Sequence, residues 1–93
     1  MNFHDIDDTR ELVYARAGYR CEVCNAPLSL VAHPQLAHRI PQKTRYLVRY
    51  GKAIIHHPDN LAATCSLVCN KKVDIGGQPL AVAELAARIR AKL

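Results

Sequence analysis

Two closely spaced cysteine pairs constrain the fold of this chain more than any other feature. They read CEVC at 21–24 and CSLVC at 65–69, with about forty residues between them. Each pair can turn tightly enough to direct two thiolates at one point, and a tetrahedral Zn²⁺ ion needs four such ligands. The pattern therefore predicts one structural zinc ion bound by Cys21, Cys24, Cys65 and Cys69. Because four thiolates close the coordination sphere, this ion would stabilise the fold and leave catalysis to other groups.

The cysteines have two alternative interpretations. Two disulfides would need an oxidising compartment, and a C-x2-C disulfide closes a short, strained loop that adds little stability. Thioredoxin-like redox chemistry at the first pair would need a flanking βαβ pattern, which the sequence lacks. The second pair has three intervening residues, which indicates either an extra residue in the turn or the direct start of a helix.

A chain of this length is expected to need a metal ion or another cross-link to stabilise its fold. We interpret its 93 residues as one domain spanning 1–93, and at this size the hydrophobic core alone gives marginal stability. The composition, 49% hydrophobic and 23% charged, is that of an ordinary globular protein. No apolar run is long enough for a membrane span, and the N-terminal segment is acidic where a secretory signal would be basic. We therefore expect a soluble, cytoplasmic protein without membrane contact.

Periodicity and turn residues predict an α+β domain with a helix at each end. A helix is expected over 7–17, capped by Asp and ended by Gly18. Two short strands joined by a turn at Pro34 are expected within 26–41, and a helical turn or two over 42–52, ended by Gly51.

The second half of the sequence continues this pattern. A short apolar run, a turn over 57–60 and an extended piece lead into the second cysteine pair, and a helix is expected from there to about residue 74. The last helix is predicted over 79–93, with Pro79 in its first turn. Its apolar stripe comprises Val82, Leu85, Ala86, Ile89 and Leu93.

Positive charge is concentrated in the middle of a chain whose net charge is +5. Five basic residues lie between 39 and 52 with no acidic residue among them: Arg39, Lys43, Arg45, Arg49 and Lys52. They form a candidate nucleic-acid-binding surface that would contact phosphates, and a solvated helix face is the alternative. The terminal ARIRAK segment offers Arg88, Arg90 and Lys92 as further contacts.

The order of short motifs resembles that of the HNH endonucleases. C-x2-C is followed by H-x-I-P at 38–41, by H-x2-N-L at 57–61, and by a second cysteine pair with Asn directly after it. The resemblance covers about 18–76 and is strongest to the four-cysteine zinc subgroup of the ββα-metal fold. It implies a small, zinc-stapled, treble-clef-like domain that hydrolyses phosphodiester bonds in DNA with one divalent ion.

The resemblance also implies roles for particular residues. His38 corresponds to the general base that takes a proton from water, and Asn60 to the asparagine that braces the loop and orients that base. Asn70 corresponds to a ligand of the catalytic ion, which would be Mg²⁺, Mn²⁺, Ni²⁺ or Zn²⁺. Ala37 stands where the family usually has an acidic or histidine ligand, so His57, His56 or His33 would have to complete the site.

Each of these residues has a simpler interpretation. His38 could be a buried histidine satisfied by a backbone carbonyl, the pair His56 and His57 could belong to a surface turn, and Asn70 could cap a helix. Two functions therefore stay open: a metal-dependent DNA endonuclease, and a catalytically degenerate zinc module that binds nucleic acid or a protein partner. A homodimer formed through the apolar terminal helix is a further expectation.

Overall fold

The fold was analysed in a computed structural model, which describes the backbone of residues 3–93 and the side chains of residues 8–93. In this part of the chain five α-helices surround a two-stranded antiparallel sheet, which confirms the predicted α+β class. The helices are α1 (Phe3–Arg16), α2 (Thr44–Tyr50), α3 (Lys52–Ile55), α4 (Leu67–Val73) and α5 (Pro79–Arg90), and the strands are β1 (Gln35–His38) and β2 (Leu61–Thr64). Two 3₁₀ turns, Leu28–Leu30 and Pro58–Asn60, precede the strands. No helix among residues 3–93 is long and apolar enough to cross a bilayer.

The sheet separates two sets of side chains. β1 and β2 pair with Ala37 opposite Ala62 and His38 opposite Leu61. Because successive strand residues point to opposite faces, Ala37 and His38 lie on different faces of the sheet. Ala37 and Ala62 pack against Val73 of α4, whereas Leu61 packs with residues of α1 on the other face.

The predicted strand pair within 26–41 is wrong in its first half. Residues 28–30 form a 3₁₀ turn, in which Leu28 is buried and Leu30 is 83% exposed. Leu28 is held by its backbone N–H, which donates to the carbonyl of Tyr19 (2.8 Å). The strand that pairs with β1 comes instead from beyond residue 60. Alternating apolar residues indicate an extended face but carry no information about the partner strand.

The predicted helix ends are correct where a special residue fixes them, and less accurate elsewhere. Gly18 and Gly51 adopt φ values of +67° and +86° at the ends of α1 and α2, and Pro79 is in the first turn of α5. α1 begins at Phe3, so the aspartates at its predicted start lie inside the helix. The apolar run at 53–55 belongs to a helix, α3, and Leu93 is 67% exposed rather than part of the buried stripe.

Two apolar clusters form the core. One cluster lies beneath α2, α3 and α5 and contains Ile40, Ile54, Ile55, Val82, Leu85, Ala86 and Ile89. The other lies beside the cysteines and contains Val13, Cys21, Leu28, Leu61, Ala63 and Cys69. The apolar stripe of α5 therefore packs against the core of its own chain. The homodimer stays a prediction, and the stripe does not support it.

Asn60 ties together the backbone segments around the first cluster. Its side chain is fully buried. Its Oδ1 accepts a hydrogen bond from the Ile40 N–H (2.8 Å), and its Nδ2 donates to the carbonyls of Ile40 (3.1 Å) and Ile55 (2.8 Å). These bonds hold the end of α3 against the segment that follows β1, because three buried backbone groups depend on a single amide.

We expect Asn60→Ala to lower the free energy of unfolding by about 2–4 kcal/mol, because it leaves those three groups without partners. Gln35→Ala is a matched control, since its amide bonds the His33 carbonyl at the surface. Urea denaturation of both variants in the presence of zinc measures the difference. Equal stability of the two variants would show that Asn60 does not brace the fold.

Candidate metal centre and histidine site

The four cysteine sulfurs form one cluster. All lie within 4.8 Å of one another, with Cys24 Sγ 3.4 Å from Cys65 Sγ and Cys65 Sγ 3.7 Å from Cys69 Sγ. The cysteines are free thiols. With Zn–S bonds of about 2.3 Å, the sulfurs of a tetrahedral site are about 3.8 Å apart. The predicted convergence is confirmed, and the cluster could bind a structural metal ion such as zinc.

The first cysteine pair turns because the residue after it adopts a left-handed conformation. Asn25 has a φ of +66°, which asparagine tolerates better than most residues. The turn is closed by a hydrogen bond from the Asn25 N–H to the Cys21 carbonyl (2.9 Å). The backbone nitrogens of Val23 and Cys24 lie 3.4 and 3.5 Å from Cys21 Sγ, and their N–H groups donate hydrogen bonds to it. The same bonds would stabilise a metal-bound thiolate.

The second pair turns because a helix begins inside it. Ser66 is the N-cap of α4, and its hydroxyl accepts a hydrogen bond from the Cys69 N–H (3.3 Å). Cys65 therefore precedes the helix and Cys69 lies in its first turn. The third intervening residue is accommodated by this helical start, one of the two arrangements that the spacing allowed.

The protonation states of these thiols depend on one another. Burial raises the pKa of Cys21, but the backbone N–H bonds outweigh burial and lower this pKa to about 6. Contact with the Cys24 thiol raises the pKa of Cys65 to about 12, and burial raises the pKa of Cys69. Several thiolates this close repel one another, so a multivalent cation is the natural compensation for their charge.

Glu22, between the first two cysteines, joins the first turn to the sheet. Its backbone N–H donates to the Ala63 carbonyl (2.9 Å), and its Oε2 accepts a hydrogen bond from the Ala63 N–H (2.6 Å). Its Oε1 lies 3.4 Å from the Arg39 guanidinium. No local sequence pattern indicates this role of Glu22, because the role depends on where β2 lies.

His38 lies at the end of β1 against a second histidine. Its Nε2 is 3.2 Å from His56 Nδ1, and the rings meet edge to face with centroids 5.3 Å apart. Its Nδ1 is 3.3 Å from the side-chain amide of Gln42. The two histidines and Gln42 line a pocket of about 290 Å³ together with Lys52 and Leu61.

Both histidines are neutral at physiological pH. Burial, together with charge repulsion from His56, lowers the pKa of His38 to about 4. Burial and the Lys52 ammonium lower the pKa of His56. Neutral imidazoles offer lone pairs to a proton or to a metal ion.

The ion position implied by the family resemblance does not fit this structure beside residue 37. Ala37 is fully buried against Ala62 and Val73, so the side chains of this cluster offer no nitrogen or oxygen ligand. Asn70 is half-buried within α4, and Ser66 caps that helix, so the cap interpretation of Asn70 is wrong. Its role as an ion ligand stays a prediction.

His57 does not share the position of its neighbour. Its Nδ1 accepts a hydrogen bond from the Asp59 N–H (3.0 Å) and so caps the Pro58–Asn60 turn. The structure therefore brings His56, and not His57, against His38. A helix predicted at 52–55 would have distinguished His56 from His57, because His56 is the C-cap of α3 and lines the pocket.

The predicted basic surface is divided by the fold. Lys43, Arg45, Arg49 and Lys52 are exposed on or beside α2 and α3, and Lys52 lines the histidine pocket. Arg39 is half-buried and pairs with Glu22. The sequence also offered Lys92 as a free cation, but its Nζ lies 2.5 Å from Asp59 Oδ2.

Comparison with known proteins adds no relative. No family model matches the chain, and neither the curated proteins nor the solved structures include a match.

We expect Cys21→Ser or Cys65→Ser to abolish the cooperative thermal transition, because metal binding contributes folding energy at a site of this kind. The unmodified chain treated with a chelator is the matched control. Its melting transition should disappear and then return when zinc is added, whereas the variants should not recover. A variant that melts at the temperature of the unmodified chain would refute the structural metal site.

A second prediction concerns Ala37→Asp, which would restore an acidic ligand in the family pattern. Because position 37 is buried among apolar side chains, we expect the substitution to lower the free energy of unfolding by about 2–4 kcal/mol. Ala32→Asp, at an exposed position, should change it by less than about 0.5 kcal/mol. If adding Mg²⁺ raises the stability of Ala37→Asp to that of Ala32→Asp, position 37 does accept an ion.

Proposed function

We propose that this chain is a zinc-stapled, metal-dependent endonuclease of the HNH type that hydrolyses phosphodiester bonds in DNA. The observation that carries the proposal is the position of His38. This neutral imidazole ends β1, opens onto a pocket, and lies next to a segment that the buried Asn60 amide fixes. The order β1, β2, α4, with a cysteine pair before β1 and another at the start of α4, supports the ββα-metal interpretation.

In this proposal His38 activates the attacking water. The water oxygen bonds to phosphorus as the P–O3′ bond breaks, and the electron pair of that bond leaves with the 3′ oxygen. The proton lost by the water must pass to another group. A neutral imidazole assists either by accepting this proton or by binding a divalent ion that makes the water more acidic.

The charges around the pocket suit a phosphodiester. Lys52 lines the same pocket as His38. The preceding helix α2 exposes Arg45 and Arg49, and its N-cap residue Lys43 is also exposed. Arg45 and Arg49 each lie over the ring of the tyrosine that follows, at 4.7 and 5.6 Å from its centroid. Lysine and arginine side chains bind the phosphate backbone without reading its sequence, so this surface would give affinity rather than specificity.

One observation favours the second function, a zinc module that binds nucleic acid without cutting it. The buried apolar cluster of Ala37, Ala62 and Val73 offers no ligand at the position that the resemblance assigns to the usual ion ligand. A module that has lost catalysis has no need for that ligand. The same module would keep the exposed basic residues of α2.

We expect the zinc-loaded protein to nick supercoiled plasmid DNA when Mg²⁺, Mn²⁺, Ni²⁺ or Co²⁺ is added. His38→Ala should lower the rate by about 100-fold or more, because it removes the group that activates water. His33→Ala is a matched control, since this histidine is exposed and lies outside the pocket. Gel analysis of nicked and linear plasmid measures the rates.

Equal cleavage by the unmodified chain and His38→Ala with every metal would refute the endonuclease. If neither protein cuts, a gel-shift titration decides the second function. Binding to DNA that weakens steeply with salt and with Arg45→Ala would then support the non-catalytic module.

A further inference from the structure

His38 and His56 point their ring nitrogens at each other across the mouth of a pocket. Nε2 of His38 and Nδ1 of His56 are 3.2 Å apart, and the ring planes cross at 79°. The two residues come from separate elements, the end of β1 and the C-terminal cap of α3. Both side chains are half-buried, and both line this pocket.

The separation of these nitrogens is that of two ligands on one metal ion. With metal–nitrogen bonds of about 2.0–2.1 Å, neighbouring ligands are about 2.9 Å apart on an octahedral ion and about 3.4 Å apart on a tetrahedral ion. A hydrogen bond between the rings also spans this distance, with one proton between the nitrogens. An ion bound to both nitrogens would lie off the line that joins them, because half of 3.2 Å is shorter than a metal–nitrogen bond, so the two rings would rotate towards it.

The surroundings of His38 can accommodate the ion. Its other nitrogen, Nδ1, is 3.3 Å from the side-chain amide nitrogen of Gln42. When Nε2 binds a metal, Nδ1 carries a proton and needs an acceptor, and the amide oxygen of Gln42 can accept it after a rotation of the group. Histidine ligands of metals are commonly fixed by such a partner.

Protonation competes weakly with metal binding at this site. Because burial lowers the pKa values of both imidazoles, both rings are neutral near pH 7 and each keeps one nitrogen with a free lone pair. A metal ligand needs only the neutral ring, so His38 suits the second of the two ways in which it could assist water, which is to bind an ion that makes the water more acidic.

We propose that His38 Nε2 and His56 Nδ1 bind one first-row transition-metal ion, such as Ni²⁺, Co²⁺ or Zn²⁺, at a site separate from the four cysteines. Imidazole suits these metals, whereas Mg²⁺ requires oxygen ligands. Among residues 8–93, the lining of this pocket includes no carboxylate. With two protein ligands the ion keeps positions for water and for a phosphate oxygen, and Lys52 at the same pocket contributes positive charge for that anion.

The catalytic consequence of this site rests on the proposed endonuclease, but ion binding does not. The ion at this site would be the divalent ion of the proposed endonuclease. His56 would bind it in place of the acidic or histidine ligand that the family usually has at the position of Ala37. His38 would then act as a ligand of the ion. The ion would make the attacking water more acidic, so that its proton could pass to solvent, and would act as a Lewis acid on the phosphate.

Calorimetric titration of the zinc-loaded protein with Ni²⁺ tests the site. We expect one binding event in the unmodified chain, weakened more than about 10-fold by His38→Ala or His56→Ala and unchanged by His33→Ala. Thermal melts verify that each variant is folded, and His56→Gln keeps a polar group if the alanine variant melts early. Binding of Ni²⁺ to both alanine variants with the affinity of the unmodified chain would overturn the proposal.

Nitrogen NMR identifies the ligands independently. On addition of Zn²⁺ beyond one equivalent, the ¹⁵N resonances of His38 Nε2 and His56 Nδ1 should shift, while those of His33 should not. Unshifted resonances would overturn the proposal even if the protein cuts DNA with Mg²⁺. Shifted resonances in a protein that cuts no DNA would support the site and refute the endonuclease, so the two proposals can fail separately.

Discussion

The convergence of four cysteine sulfurs is the contact on which the rest of this structure depends. The two turns that carry them lie about forty residues apart in the sequence, and the sheet and the helices α2 and α3 lie between them. A metal ion bound at this point would tie α1, through the first turn, to α4, through the second. For a chain of 93 residues, whose core gives little stability, the binding energy of one zinc ion is comparable to the whole free energy of folding.

The register of the sheet determines what chemistry the scaffold can support. Pairing Ala37 with Ala62 directs both methyl groups at Val73 and closes that face with apolar contacts. The same register directs His38 to the opposite face, where α3 brings His56 within 3.2 Å. A shift of one residue would exchange the two faces. The buried Asn60 amide keeps the segments after β1 and α3 together, and so keeps the histidines in contact.

Sequence reasoning succeeded where the controlling signal is local. Gly18, Gly51 and Pro79 were placed correctly because left-handed backbone or a fixed φ selects these residues whatever lies around them. The cysteine cluster was predicted because the short spacing within each pair is itself a local signal: a tight turn places two thiolates at one point, and one zinc ion needs two such pairs. It failed where the determinant is distant: the partner of β1, the role of Glu22 and the choice between His56 and His57 each depend on a segment about 18 to 40 residues away. The apolar run at 53–55 was ambiguous because so short a run fits a buried helix as well as a strand.

One metal ion, bound by sulfur alone, would hold this fold together. Zinc K-edge X-ray absorption of the protein purified with one equivalent of zinc identifies the ligands of that ion. We expect a single shell of four sulfur neighbours at about 2.3 Å. A shell containing nitrogen or oxygen, or a folded protein that retains no zinc, would contradict it.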